Sequence, residues 1–435
     1  MTPLQDLYKI FIRHPNVVID SRKTVEACLF FALRGENFDG NQFAGQAIKD
    51  GASYAIIDNP AFKNTEQFIL VDDVLKTLQD LAALHRQHFE IPVIAITGSN
   101  GKTTTKELIN AVLSSYYNTH CTKGNFNNHI GLPLTLLAMQ QNTEIAVVEM
   151  GANHVGEIAF LCEIAKPTHG LITNIGKAHL EGFGSLEGVK KAKNELFQFL
   201  LYNEGVAFIN LDEAFLNKLS TGISHRIFYH KSKNPSSENI PIETKLIAEN
   251  PFVKVGFLGG DKLIEANSQI IGNYNFNNIQ TAIAIGKYFK VPANKIKKAI
   301  ENYVPSNNRS QIIKKASNTY ILDAYNANPN SMRQALNTLL KVRGNHKIAI
   351  LGDMLELGNY SGREHRDLLE HAKKLNFDQL ILVGKEFGKT AKNDANLLHF
   401  KEIESLRDWY LKQRFQNTVF LIKGSRALKL EKLLE

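Results

Sequence analysis

The run Thr97-Gly-Ser-Asn-Gly-Lys-Thr-Thr-Thr-Lys-Glu107 gathers the residue types that hold a nucleoside triphosphate. Gly98 and Gly101 let backbone N–H groups close around phosphate oxygens, and Ser99 and Asn100 add polar groups to the same turn. Lys102 would reach the terminal phosphates, and the Thr103 hydroxyl, with Thr104 beside it, suits Mg2+ and phosphate. The general Gly-x4-Gly-Lys-Thr pattern asks for glycine where this chain has Ile96, so the loop is a shorter variant. ATP and Mg2+ are the expected ligands.

Other residues suit the same chemistry. Glu149 ends an apolar run, where a carboxylate is costly unless it faces a cleft or a cation; capping the following turn is the plainer alternative. Arg309, in Pro305-Ser-Asn-Asn-Arg309, sits where a guanidinium would clamp a γ-phosphate as domains close. Asn125, Asn127, Asn128 and His129 supply a density of donors suited to a sugar or diphosphate, or to a loop that holds its own sheet together. Lys423 and Arg426, at a strand end, would meet a carboxylate or simply be solvated there. Lys190 and Lys191 read as a solvated helix face.

These residues need elements to position them. The apolar stretch 91–97, the loop and the helical pattern 103–117 form strand, turn and helix, so phosphates would meet a helix N-terminus. Apolar runs recur at 145–150, 170–175 and 206–210, which signals a parallel sheet covered on both faces. Before it, strand-like 28–33 and 54–58 flank a helical stretch at 42–49 in a small α/β unit. From 226 to 271 the pattern becomes short strands, interrupted by a polar, exposed loop at 231–239. After 303–308 a second doubly wound unit begins, with strands at 320–324, 347–351, 379–383 and 418–423 and helices at 331–342 and 363–375. The expected fold is α/β in three domains: 1–90 small α/β, 91–305 a central P-loop-type parallel-sheet ATPase domain, and 306–435 Rossmann-like.

At 435 residues the chain exceeds one core. The first 23 residues lack a secretory layout and no apolar run reaches membrane-span length, so a cytoplasmic protein with no membrane span is expected. Cys28, Cys121 and Cys162 have no metal-ligand spacing and suit a reducing compartment. The formal charge of +8 is unevenly spread. Residues 1–90 carry 9 basic against 12 acidic groups, while 91–435 carry 42 against 31, a net +11 in the part that holds the phosphate loop. With no recognisable nucleic-acid module, a nucleic-acid-stimulated ATPase is a distant alternative and no nucleic-acid partner is expected.

The loop Thr97-Gly-Ser-Asn-Gly-Lys-Thr-Thr104 resembles the ATP loop of the Mur ligases and of their relative folylpolyglutamate synthase. Asn174-Ile-Gly-Lys-Ala-His-Leu-Glu-Gly-Phe-Gly184, Leu322-Asp-Ala-Tyr-Asn-Ala-Asn-Pro329, Leu351-Gly-Asp-Met-Leu-Glu-Leu-Gly358 and Lys423-Gly-Ser-Arg426 resemble the branch of that family that adds D-alanyl-D-alanine. The resemblance implies three domains and an ATP-dependent ligase that joins an amine to a carboxylate through an acyl-phosphate. Its substrates would be UDP-N-acetylmuramoyl-tripeptide, held by the first domain, and D-Ala-D-Ala, held by the third.

By the same resemblance Thr103, Glu149 and His179 would contact Mg2+, together with Lys193 as a carbamate. Asp20, Ser21 and Arg22, with Phe38-Asp-Gly40, would bind the uridine nucleotide, and residues 125–133 the rest of that substrate. Asn278 would contact adenine, although Tyr274 replaces the usual histidine, and Asp323 and Tyr325 would approach the nucleotide from across the cleft. Asn308 stands where the family commonly has glycine. No Asn-Pro-Arg run of the diamino-acid-adding branch occurs in the third domain. Another Mur-type or folylpolyglutamate-type ligase is the neighbouring alternative. A monomer with an open resting form is expected.

Overall fold

The computed structural model describes residues 3–236, 241–391 and 397–435. It is an α/β protein built on three large sheets, with a two-stranded antiparallel ribbon of Arg34–Gly35 and Phe38–Asp39 beside the first. The first has four parallel strands, in the order Val17–Val18, Leu29–Phe31, Tyr54–Ile57, Phe68–Leu70. Helix Leu4–Arg13, which the sequence reading passed over, and helix Val74–Gln87 pack on this unit. Leu7, Phe11, Leu78 and Leu81 then merge into one core with Val93, Leu132 and Leu161 of the central unit. The first unit is therefore joined to the central one through helix Val74–Gln87, which packs on helices Gly131–Leu137 and Glu157–Ala165.

The central sheet has nine strands. Strands Thr119–Cys121, Ile145–Glu149, Val93–Thr97, His169–Ile172, Val206–Asn210, His225–Lys231 and Ile242–Ala248 run parallel in that order. Burial on both faces explains the nearly uninterrupted apolar runs of the four central ones, Ile145–Glu149, Val93–Thr97, His169–Ile172 and Val206–Asn210. Phe252–Gly259 and Lys262–Ile271 continue the sheet antiparallel. The short strands expected over 226–271 are instead the longest of the sheet, because a sheet edge that packs helix Ala293–Asn302 on one side tolerates polar residues on the other. Of the loop expected at 231–239, residues 232–236 form a partly exposed connection and 237–239 lie outside the described residues.

Strand Val93–Thr97 lies between Ile145–Glu149 and His169–Ile172, and the chain leaves it in one direction and returns in the other. That is the switch point at which open α/β sheets bind ligands, at the carboxyl ends of the strands. The third sheet has the order Gln311–Lys315, Asn318–Asp323, Thr418–Lys423, His346–Gly352, Gln379–Val383, Leu398–Phe400. All but the first of these are parallel. Register pairs Asp323 with Lys423, placing both at the carboxyl edge. Among the described residues no helix is long and apolar enough to cross a membrane.

Candidate active site

Most of the residues singled out in the sequence line one cleft of about 920 Å3 between the central and third sheets; Gly98, Lys193, Asp20, Ser21, Arg22 and the run 38–40 do not. Helix Lys102–Ser114 starts in the wall of this cleft, and Gly101 caps it at φ 79°. A Cβ there would lie 2.6 Å from Asn278 Oδ1, so only glycine fits. Gly98 is similarly forced, since its Cβ would meet Thr173 Oγ1. The loop is tied to the neighbouring strand end: Ser99 N donates to Asn174 O at 3.0 Å, Asn100 N to Asn174 Oδ1 at 3.0 Å, and Thr173 Oγ1 to Asn100 O at 2.6 Å. Lys102 Nζ folds back on Gly98 O at 2.7 Å. Burial lowers the Lys102 pKa, with Glu149 opposing and Arg309 adding to the shift.

Glu149 is 1% exposed at the end of its strand. Its Oε1 accepts from Asn127 Nδ2 at 2.7 Å. Its Oε2 has no hydrogen-bond partner and lies 3.9 Å from Lys106 Nζ, which itself donates to Thr122 O and Gly124 O. A buried carboxylate oxygen left in this way favours a cation over the turn-capping alternative. Lys193, on helix Leu186–Tyr202, is also 1% exposed, and its Nζ has no hydrogen-bond partner. Burial first, then repulsion from Lys102, draws its pKa down to about 7. His179, held at φ 50°, points Nδ1 to within 2.6 Å of Glu356 Oε2. The carboxyl of Glu356 is held below its usual range by that imidazole.

The third sheet contributes the opposite wall. Lys423, 2% exposed, donates to Asp323 Oδ2 at 2.6 Å and to Asn326 O at 3.0 Å, so it anchors Asp323. The expectation that it meets a substrate carboxylate is not supported by that commitment. Arg309 stacks on the Tyr325 ring with Cζ 3.7 Å from the centroid, and its buried Nε has no partner. Arg426 approaches the same ring at 6.0 Å and pairs with Glu431. Asn307 and Asn308 adopt φ of 58° and 57° before Arg309. Asparagine tolerates this left-handed conformation best after glycine, which accounts for Asn308 where glycine is common.

Several residues have their polar groups bonded within the protein. Asn278 accepts from Thr105 Oγ1 at 2.9 Å and donates to Asn275 Oδ1 at 2.8 Å, which holds it against Gly101. The Tyr274 hydroxyl meets Ser310 Oγ at 2.8 Å. Asn128 Oδ1 accepts from Gly131 N at 2.8 Å at the start of helix Gly131–Leu137, so residues 125–131 partly serve their own loop. Asp20 accepts from Arg22 Nε and Nη2, both at 2.9 Å, around the turn Ser21–Lys23 on the first sheet, away from the cleft.

The cleft is closed rather than open. Asn328 Nδ2 donates to Asn100 Oδ1 at 2.6 Å, Lys177 pairs with Glu364 at 2.8 Å, and Glu181 N donates to Glu356 O at 3.2 Å. These contacts dock the third unit on the loop 98–103 and on the loop 174–184.

The descriptions "Mur ligase family, catalytic domain", "Mur ligase middle domain" and "Mur ligase, glutamate ligase domain" match residues 15–86, 96–286 and 308–426. The chain is 35% identical over 437 residues to the UDP-N-acetylmuramoyl-tripeptide--D-alanyl-D-alanine ligase of Bacillus subtilis (strain 168), covering 97% of this chain and 92% of that one. This chain belongs to the Mur ligase family. Among solved Mur ligases, MurF from Acinetobacter baumannii matches it with a TM-score of 0.83 at 31% identity, over 96% of this chain and 92% of that chain. MurF from Thermotoga maritima, solved in complex with ADP, matches with a TM-score of 0.82 at 26% identity, over 100% and 97%. Within this Mur ligase, Lys106, Gln79, Glu356 and Glu364 were not singled out as site residues. Lys106 was readable as one turn beyond Lys102 on a helix face; the others meet partners distant in sequence, which leave no local signal.

Proposed function

We infer that this Mur ligase uses ATP to join D-alanyl-D-alanine to the peptide carboxylate of UDP-N-acetylmuramoyl-tripeptide, releasing ADP and phosphate. One observation carries the reading: the Gly98–Thr103 loop, at the switch point of the central sheet, faces Arg309, Asp323 and Tyr325 across a single cleft. A carboxylate oxygen of the precursor attacks the γ-phosphorus of ATP, and the bond to the ADP oxygen breaks to leave an acyl-phosphate. The dipeptide's amine nitrogen then attacks the acyl carbon, phosphate departs, and the amine's extra proton is lost. Lys102 and Arg309 spread the charge growing on the transferred oxygens. Ser99, Asn100 and Thr104 line the phosphate end of the cleft beside them. Docking of the third sheet excludes water that would hydrolyse the acyl-phosphate.

Mg2+ would be held by Thr103, Glu149, through its unpartnered Oε2, and His179, together with Lys193 as a carbamate. When bound it neutralises phosphate charge. Few protein ligands are needed, because Mg2+ keeps waters and phosphate oxygens; among the described residues no three His, Cys, Asp or Glu are gathered as a ready-made cage. A Lys193 amine that is half neutral near pH 7 is the form that adds CO2, and the resulting carbamate is an anion where an ammonium is disfavoured.

Residues 1–90 would hold the UDP end of the precursor through Asp20, Ser21 and Arg22, residues 91–305 the ATP, and 306–435 the dipeptide. Asn125, Asn127, Asn128 and His129 line the cleft where the precursor's peptide would enter. We place the enzyme, as a monomer, in cytoplasmic peptidoglycan precursor synthesis, and so in cell shape and division. Phosphate release from ATP and UDP-muramoyl-tripeptide should require D-Ala-D-Ala; release driven instead by a single amino acid would assign another branch of the family.

A further inference from the structure

An incoming dipeptide is a zwitterion, so its site needs a carboxylate for the ammonium and a cation for the carboxylate, close together. The carboxyl edge of the third sheet carries such a pair on two touching loops. Leu355 N donates to Ser425 Oγ at 2.9 Å, and Ser425 N donates to Asp353 O at 3.1 Å, so Glu356 and Arg426 project from segments stitched side by side, both lining the cleft. The Glu356 segment is also braced from behind: His365, fully buried, accepts from Met354 N at 3.0 Å, and Asp353 caps helix Lys385–Ala391 through Glu386 N and Phe387 N. Glu356 itself has φ 63°, a left-handed conformation that costs a non-glycine residue and needs such bracing.

The other carboxylates of the cleft are less free to meet an ammonium, and Glu149, 1% exposed, keeps its unpartnered Oε2 for the Mg2+ assigned to it above. Glu149 is bonded to Asn127 and faces Lys106, Asp323 binds Lys423 and Ser310 N, and Glu157 accepts from Asn153 N at 2.7 Å and meets His154. The side chain of Glu356 is 51% exposed; Oε2 faces His179, and Oε1 accepts no hydrogen bond among the described residues, while Arg426, 56% exposed, gives only Nη1 to Glu431 and keeps its other donors free for a carboxylate.

We propose that Glu356 docks the ammonium of the incoming dipeptide through Oε1 while Arg426 takes its carboxylate, so that the third sheet holds the nucleophile toward the acyl-phosphate formed at the loop of residues 98–103. The assignment rests on the ligase reading above and adds the residues that recognise the amine.

Steady-state kinetics of the full chain test it, varying ATP, UDP-muramoyl-tripeptide and D-Ala-D-Ala in turn. Glu356→Gln should raise KM for D-Ala-D-Ala by roughly tenfold or more, the scale of a lost charged hydrogen bond, and leave KM for ATP within about twofold. Propionyl-D-alanine, which keeps the carboxylate and lacks the amine, should inhibit wild type and Glu356→Gln with equal Ki, whereas Arg426→Gln should weaken both the dipeptide and this analogue. An unchanged dipeptide KM in Glu356→Gln overturns the assignment. So does a Ki for propionyl-D-alanine that rises in step with that KM, or a rise in KM for ATP as large as that for the dipeptide, which would mean that Glu356 acts through His179. Wild type that releases no phosphate with D-Ala-D-Ala would defeat the ligase reading itself, an outcome visible before any variant is made.

Discussion

Replacing Lys193 with Met should stabilise the free protein near neutral pH while abolishing ligation. The Lys193 ammonium is buried without a hydrogen-bond partner, 5.2 Å from the Phe183 ring centroid and within reach of the charge on Lys102. Burial, reinforced by Lys102, takes its pKa from 10.5 to about 7. Each pKa unit corresponds to about 1.4 kcal/mol, so the protonated group costs the fold up to about 5 kcal/mol, of which relaxation around a Met would recover about 1–3 kcal/mol. The sign follows from proton binding. Between about pH 7 and 10.5 the unfolded chain holds this proton and the folded chain does not, so wild-type stability rises with pH through that window. Below about 7 both hold it, and the full cost is present. The advantage of Lys193→Met should thus be greatest below pH 7 and fade toward pH 10. Urea unfolding in magnesium-free, CO2-free buffer measures the difference. No advantage at pH 7, or one that persists undiminished at pH 10, would refute the reasoning. Bicarbonate should stabilise wild type and not Lys193→Met, and 13C-bicarbonate should give a carbamate signal in wild type alone. Lys193→Ala should lose turnover and regain part of it with short carboxylic acids.

Gly101→Ala places a methyl group 2.6 Å from Asn278 Oδ1 at φ 79°, which should cost about 1–3 kcal/mol and weaken nucleotide binding by calorimetry more than it lowers the melting temperature. Glu149→Gln removes the charge on the unpartnered oxygen and should raise the magnesium concentration for half-maximal turnover by roughly tenfold or more; an unchanged magnesium dependence would remove Glu149 from the metal site. Lys177→Ala leaves the buried Glu364 without its 2.8 Å partner, a loss of about 1–3 kcal/mol from docking of the third sheet, so small-angle scattering should show a larger radius of gyration and kcat should fall with KM for ATP little changed.

Legibility in the sequence tracked the range over which each residue finds its partners. Val206–Asn210, Gln379–Val383 and Thr418–Lys423 are strands with the bounds expected, because parallel strands buried on both faces write continuous apolar runs. The antiparallel edge formed by Phe252–Gly259 and Lys262–Ile271 was underestimated in length, since one solvated face breaks such runs. The strand, turn and helix around residues 98–103 were readable because the run is contiguous and its glycines are forced by local backbone geometry. The pairing of Lys423 with Asp323 depends on register between strands 100 residues apart, and His179 with Glu356 on docking of two sheets; neither leaves a periodic trace. Docking also explains the closed cleft where an open one was expected, since Lys177, Glu364, Asn100 and Asn328 carry no sign in the sequence that they meet.

The charges around the loop link nucleotide binding to that docking. Lys102, Lys106, Lys193 and Arg309 converge on a region whose carboxylates include Glu149 and Glu356 beside Lys102 and Glu195 and Glu157 beside Lys193, and the lowered pKa of Lys102 reflects burial and Arg309 against Glu149 and Glu356. Arg309 Nε and Lys193 Nζ have no partners on the cationic side, and Glu149 Oε2 has none on the anionic side. Magnesium and a triphosphate satisfy both kinds of group at once, and a carbamate on Lys193 reverses the sign of its charge, so the site approaches balance only in the loaded state. Arg309 belongs to the hinge and Glu356 to the third sheet, whereas Lys102 and Glu149 belong to the central one. Magnesium and ATP that meet Lys102, Glu149 and Arg309 together favour the docked arrangement by their difference in affinity for the docked and undocked forms. Weakening docking at Lys177, whose ammonium bonds Glu364 of the third unit, should therefore weaken ATP binding only by the fraction of molecules left undocked. A loss of affinity much larger than that fraction would mean Lys177 meets the nucleotide itself.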